Sequence, residues 1–126
     1  MLKAILAFIL LLASIAVPAA AQAGRPGRLE QFRDFPSRHV DPRNVSVWLP
    51  ADYDPNGEPY AVIYMQDGQN LFDPGKSYGG MPWGVDEVLT QLMGAGRVRR
   101  TIVVGIWNTP KRLREYMPAQ VFAGLP

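Results

Sequence analysis

The stretches Tyr60-Ala-Val-Ile-Tyr-Met65 and Thr101-Ile-Val-Val-Gly-Ile-Trp107 decide the fold. Both are nearly continuous apolar runs of strand length, the pattern of strands buried on both faces of a sheet. Between them Val85, Val88, Leu89, Leu92 and Met93 fall at i, i+3, i+4, i+7 and i+8, one apolar stripe along a helix. Asp86 and Glu87 lie in its first turn, where the backbone dipole favours negative charge, and Gly94 and Gly96 stand where a left-handed C-cap would form. Strand, helix, strand is a βαβ unit, so the two strands are predicted to be parallel, with a right-handed crossover. Ligands of open parallel sheets bind beyond the carboxyl ends of the strands. Residues Gln66 to Asn70 and Asn108 to Pro110 are therefore expected to share one functional rim.

Upstream of this unit, Asn44 to Leu49 alternates, with Val45, Val47 and Leu49 on one face and Asn44, Ser46 and Trp48 on the other, as a half-exposed strand does. Pro50 ends it, and Asp52-Tyr-Asp-Pro-Asn-Gly57 supplies turn residues. Residues 24–43 are rich in Gly, Pro and Arg, with Leu29, Phe32 and Phe35 as their apolar anchors, and read as a linker. The folded domain is thus predicted to span 44–126, of class α/β.

The chain opens with Met1 to Lys3, a short basic start, then an apolar run from Ala4 to Val17, then Pro18 and small residues, the layout of a secretory signal peptide over 1–23. Cleavage after Ala21 or after Ala23 fits equally. The apolar run makes a helix of roughly 21 Å, short of the roughly 30 Å hydrocarbon core. A secreted or periplasmic location without a stable membrane anchor is expected. Cysteine is absent, which excludes a disulfide framework and a thiolate metal site.

The 126 residues are 48% hydrophobic and 19% charged, which allows at most one globular domain. The formal net charge is +2. Its basic residues cluster at Arg97, Arg99, Arg100 and at Lys111, Arg112, Arg114, with no interleaved aromatic platform. They read as solvated surface, and no nucleic-acid role is expected.

At the rim, the sequence resembles the serine esterases of the α/β-hydrolase superfamily, in the enterochelin-esterase-like and esterase D-like branch. The stretches that carry the resemblance are Tyr64-Met-Gln-Asp-Gly-Gln-Asn-Leu-Phe-Asp73, Trp83-Gly-Val-Asp-Glu87, Ile102-Val-Val-Gly-Ile-Trp-Asn-Thr109 and Arg114-Glu-Tyr-Met-Pro118. The resemblance implies the N-terminal part of an α/β-hydrolase fold, with a mostly parallel sheet, and no cofactor or metal. It implies hydrolysis of a carboxylic ester, whose tetrahedral oxyanion is stabilised by backbone N–H groups, one of them from the loop after the third strand. That loop is Gln66 to Asn70. The resemblance makes Gln66, Asp67, Gly68, Gln69 and Asn108 the oxyanion and substrate-binding residues, with the donor among Asp67, Gly68 and Gln69. Glycine at 68 would let the backbone approach a substrate closely and tolerate positive φ. In one respect the chain departs from the family, with Gln66 where His is expected before Asp-Gly-Gln, which bears on substrate fit.

Other motifs look catalytic. Gly75-Lys-Ser-Tyr-Gly79 satisfies the G-x-S-x-G pattern, but Ser77 lacks the buried strand before it and the helix after it that lift a nucleophile above the sheet. His39, the single histidine, precedes every predicted strand, whereas the hydrolase order is nucleophile, acid, base. No nucleophile, acid or base is assigned within the chain, and Ser77 is the weak candidate. Asp52-x-Asp54-x-Asn56-Gly57 matches half of a calcium loop, but the position of the obligatory Glu falls on Ile63, so it reads as a turn. Asn44-Val45-Ser46 is a formal glycosylation sequon inside a predicted strand. The expectation is an N-terminal fragment of an exported serine esterase, supplying the oxyanion-side loop and inactive alone, with a small-molecule ester as the parent's substrate. The alternative is a small exported ligand-binding protein without turnover.

Overall fold

The structure, a computed structural model, describes residues 27–118. The predicted signal peptide and the start of the predicted linker lie outside the described residues. Four strands form one sheet in the order β1-β2-β4-β3: β1 (Arg28–Phe35), β2 (Arg43–Leu49), β3 (Ala61–Gln66) and β4 (Thr101–Ile106). Helix α1 (Val85–Gly94) joins β3 to β4, and a short helix α2 (Arg112–Tyr116) follows β4. β3 and β4 are parallel, in register from Ala61 opposite Thr101 to Gln66 opposite Ile106. β2 lies antiparallel to β4, and β1 antiparallel to β2.

Strand β1 corrects the linker reading of 24–43. It is an edge strand largely open to solvent, so it has no apolar and polar alternation to betray it. The ladder also slips between Phe32 and Phe35, where Asp34 takes φ 47. That irregularity brings Phe32 and Phe35, three apart, to an edge-on ring contact with centroids 6.4 Å apart.

One face of the sheet carries the core. Trp48 of β2 and Val103 of β4 are cross-strand partners and pack with Leu71 and Leu89, flanked by Met65, Phe72, Val85 and Met93. On β2 it is therefore the Ser46 and Trp48 face that is buried, while Val45 and Val47 look the other way. Ser46 is tolerated there because its hydroxyl accepts the Trp107 indole N–H at 2.8 Å. The opposite face is an open apolar groove lined by Phe32, Val45, Val47, Tyr64, Val104 and Ile106.

That asymmetry overturns the expectation that the two apolar runs are buried on both faces. β4 alternates, with Thr101, Val103 and Gly105 buried and Ile102, Val104 and Ile106 partly open. β3 is an edge strand, and Tyr64 keeps 71% of its surface exposed. An apolar run shows that a strand can be covered twice; it does not show that it is. Helix α1 has the predicted stripe except at Val88, which is exposed. Its C-terminus closes as predicted on Gly96 in the left-handed region (φ 65), with Arg97 N–H donating to the Leu92 carbonyl, while Gly94 is the last helical residue.

Candidate functional site

After Gln66 the chain turns at Asp67, which is left-handed (φ 55, ψ 42), into a single turn of 3-10 helix over Gly68–Asn70. Directly beneath it runs β4. A Cβ on Gly68 would sit 2.4 Å from the Gly105 carbonyl carbon, and one on Gly105 would sit 2.8 Å from Leu71 Cδ1. Two facing glycines thus let the loop backbone lie on the strand backbone. The close approach that Gly68 permits in the structure is to β4, and the positive φ of the turn belongs to Asp67.

A left-handed aspartate is strained by about 1–3 kcal/mol, and it is held by partners far away in sequence. The carboxylate of Asp67 accepts Arg112 Nε at 2.8 Å and Nη2 at 2.7 Å, a bidentate pair. It also accepts Asn108 Nδ2 at 2.6 Å and Tyr116 Oη at 3.2 Å. The Asp67 N–H points to the same Tyr116 oxygen, at 3.3 Å. These donors, Arg112 foremost, outweigh the cost of burial and lower the Asp67 carboxyl from 3.8 to about 2. The reciprocal effect raises the Arg112 guanidinium, while burial pushes the Tyr116 phenol up.

The donors in turn are fixed. Helix α2 is tied to the start of β2 by Arg43 and Glu115, a bidentate pair at 3.0 and 3.2 Å with both side chains largely buried. The guanidinium of Arg112 lies over the Tyr116 ring, 4.8 Å from its centroid. Arg112 and Lys111 are exposed, as their place in a basic cluster suggested, but each is paired, Arg112 with Asp67 and Lys111 with Asp41. Arg112 and Tyr116 were missed as site residues.

Asn108, just past β4, meets the corner twice, through Asp67 and through its own N–H, which donates to Gln69 Oε1 at 3.3 Å. The corner and Asn108 share one rim, at the carboxyl ends of the parallel strands. They border a cleft of about 730 Å³. Its lining is polar at Asp67, Gln69, Asn70, Asn108 and Arg112 and largely apolar along a lip of Tyr78, Met81, Pro82 and Trp83. Asn70 anchors both ends of that lip: its Oδ1 accepts the Tyr78 N–H at 2.9 Å and its main-chain oxygen the Trp83 N–H at 2.8 Å. Gln66 is exposed at the end of β3 and is not among the residues bordering the cleft.

A family model described as "Putative esterase" matches residues 38–119, about two thirds of the chain. The chain belongs to this esterase family. No curated protein matches it.

In this esterase chain the G-x-S-x-G look-alike is a piece of loop architecture. Ser77 is buried, and its Oγ lies 2.8 Å from the Asp73 carbonyl and 3.3 Å from the Gln69 carbonyl. A hydroxyl whose proton goes to a main-chain oxygen beneath the rim loop is a strut. Ser37 and Ser46 are the other serines among the described residues. Ser46 Oγ takes the Trp107 indole, and Ser37 Oγ accepts the N–H groups of His39 and Val40. His39 is exposed, in a bend ahead of β2. Asp52 to Gly57 is a turn, with Asp54 Oδ1 accepting the Asn56 N–H and the Asp54 carbonyl accepting the Gly57 N–H. Asn44 of the sequon lies in β2, its side chain accepting the Asp34 N–H.

Proposed function

We propose that this chain forms the oxyanion side of an exported serine esterase that hydrolyses carboxylic esters of small molecules. The observation that carries the reading is the Asp67 corner, a strained turn locked by Arg112, Asn108 and Tyr116 at the carboxyl end of a parallel strand pair. Locking suits an oxyanion donor, whose value comes from being aimed before the reaction begins. Of the three candidate residues, Asp67 has its N–H directed to Tyr116, and Gly68 is buried against β4. Gln69 borders the cleft, and its N–H has no acceptor among the described residues. Its backbone N–H is the donor we assign, worth about 2.7–4 kcal/mol in the transition state. With Ser77 engaged and His39 remote in the fold order, nucleophile, acid and base are assigned to residues other than those described. The fold that goes with this reading is the N-terminal part of an α/β-hydrolase sheet.

The purified chain should leave a chromogenic acetate ester unhydrolysed. Hydrolysis that disappears in Ser77→Ala would overturn both the assignment of Ser77 and the division of labour proposed here. The reading frame beyond Pro126 is the second test, because a buried strand, a G-x-S-x-G elbow and a late His are expected there.

A non-catalytic ligand-binding protein is the second reading. It is favoured by one observation, a formed cleft among described residues that hold no paired nucleophile and base. Export, through the signal peptide of 1–23, belongs to both readings and is checked by the N-terminal residue of the mature protein.

A further inference from the structure

A second pocket, of about 290 Å³, shares no lining residue with the cleft. It is bordered by Gln31 and Arg33 of β1, Asn44 and Ser46 of β2, Trp107 just past β4, and Lys76 of the loop between β3 and α1. Gln31 and Ser46 are direct cross-strand partners, so their side chains share the core face of the sheet. Trp107 is tied to β2 twice: its main-chain N–H donates to the Asn44 carbonyl at 3.0 Å and its indole N–H to Ser46 Oγ at 2.8 Å. Lys76 is placed by its own loop, since its N–H donates to the Asp73 carbonyl at 3.0 Å and the next residue is the Ser77 strut.

This pocket has more donors than acceptors. Ser46 keeps 1% of its surface exposed, and its oxygen accepts from Trp107 while its own proton has no acceptor among the described residues. An unmet buried donor costs about 1–3 kcal/mol. Asn44 Oδ1 accepts the Asp34 N–H, which fixes the amide so that its NH2 end is the open one. Arg33 and Lys76 form no ion pair among the described residues. The single acid of the lining, Asp34, forms none either, which leaves two cations against one anion. A water oxygen would satisfy the hydroxyl alone; the surplus positive charge favours an acceptor that is itself charged, with hydrogen bonds roughly twice as strong as neutral ones.

We infer that this pocket binds a small oxyanion, a phosphate or carboxylate group, whose oxygens accept from Ser46 and Asn44 and whose charge is met by Arg33 and Lys76. Binding carries its own signature, because the Trp107 indole N–H donates to Ser46 Oγ and the Ser46 O–H donates to the anion. A serine that donates to an anion becomes a better acceptor, so the Trp107 bond tightens as the site fills. The site uses no residue of the cleft and stands or falls independently of the esterase reading.

The test is a titration of the full chain with inorganic phosphate and, separately, with acetate, at an ionic strength held constant with sodium chloride and followed by the indole N–H resonances of Trp48, Trp83 and Trp107. Saturable binding in the millimolar range is expected, tighter for phosphate, with the Trp107 indole proton moving downfield and the other two unmoved. Acetate binding tighter than phosphate would also uphold the site and name carboxylates as its ligand class. Lys76→Gln, at an exposed position, should weaken binding by about threefold, the worth of an exposed charge pair, and Arg33→Gln combined with Lys76→Gln by about tenfold. Arg99→Gln, an exposed cation outside the pocket, should leave binding unchanged. Ser46→Ala should abolish binding; because it also strips the Trp107 indole of its acceptor and can cost stability, the variants at exposed positions decide. The inference is overturned by no saturation with either anion, by an equal response to chloride alone, by saturation that leaves the Trp107 resonance unmoved, or by binding indifferent to the loss of both cations.

Discussion

Two turns in this chain are written in the same residues and behave oppositely. Asp52 to Gly57 and Asp67 to Asn70 both combine Asp, Gly and amides next to a strand. The first is exposed, and its Asp54 is satisfied locally by Asn56 and Gly57, although Arg100 reaches Asp52 from 48 positions on. The second has no local side-chain cap; its aspartate is buried and bonded to Asn108, Arg112 and Tyr116, across β4 and into α2. Turn propensity accounts for the Asp54 to Gly57 half of the first. For the second it accounts only for the residue types, and the conformation is imposed from forty or more positions away.

Paired substitutions break or sharpen that contrast. The largest effect is expected from Gly68→Ala, whose Cβ would collide with the Gly105 backbone at 2.4 Å, where nothing flexible can yield. A loss of about 3 kcal/mol or more is expected in denaturant unfolding, whereas Gly57→Ala, with its nearest neighbour at 3.4 Å, should change little. Next comes Asp67→Ala, expected to cost about 1.5–3 kcal/mol through its charged hydrogen bonds, against about 0.5 kcal/mol for Asp54→Ala. Arg112→Lys keeps the charge but loses the fork, and should cost about 1 kcal/mol.

Acid titration tests the second turn as well. The Asp67 carboxyl is held down to about 2 against an ordinary 3.8. Its folded value lies below its unfolded value, so its contribution is complete above the ordinary value and is lost as pH falls through about 2. Unfolding free energy measured through that window should fall in the parent chain and fall less steeply in Asp67→Asn. The smallest effect is expected at Glu115→Gln, which loosens α2 without touching Asp67 and should lower the melting temperature by a few degrees.

The contrast also explains what could be read from sequence. The β3, α1, β4 order and the shared rim of Asp67, Gln69 and Asn108 were legible because apolar runs and a helical stripe fix topology, and topology fixes which strand ends meet. Strand β1 was not, since an exposed edge strand with a slipped ladder has no period. Burial on both faces of β3 was misread, because Val62, Ile63 and Tyr64 are apolar whether or not anything covers them. Arg112 and Tyr116 were invisible as site residues, because their partner is set by how α2 docks through Arg43 and Glu115, a contact no local pattern encodes. Asn70 and Trp83 were quoted for the resemblance, but the lip they build depends on a side chain bonding eight residues ahead.

At the centre of this account, the Asp67 corner is shaped by Arg112 from beyond β4, so that Gln69 faces the cleft already aimed. A double-mutant cycle between Asp67→Ala and Arg112→Ala measures that dependence directly. The account predicts a coupling of at least about 1 kcal/mol in unfolding free energy; single effects that add to within about 0.3–0.5 kcal/mol would contradict it.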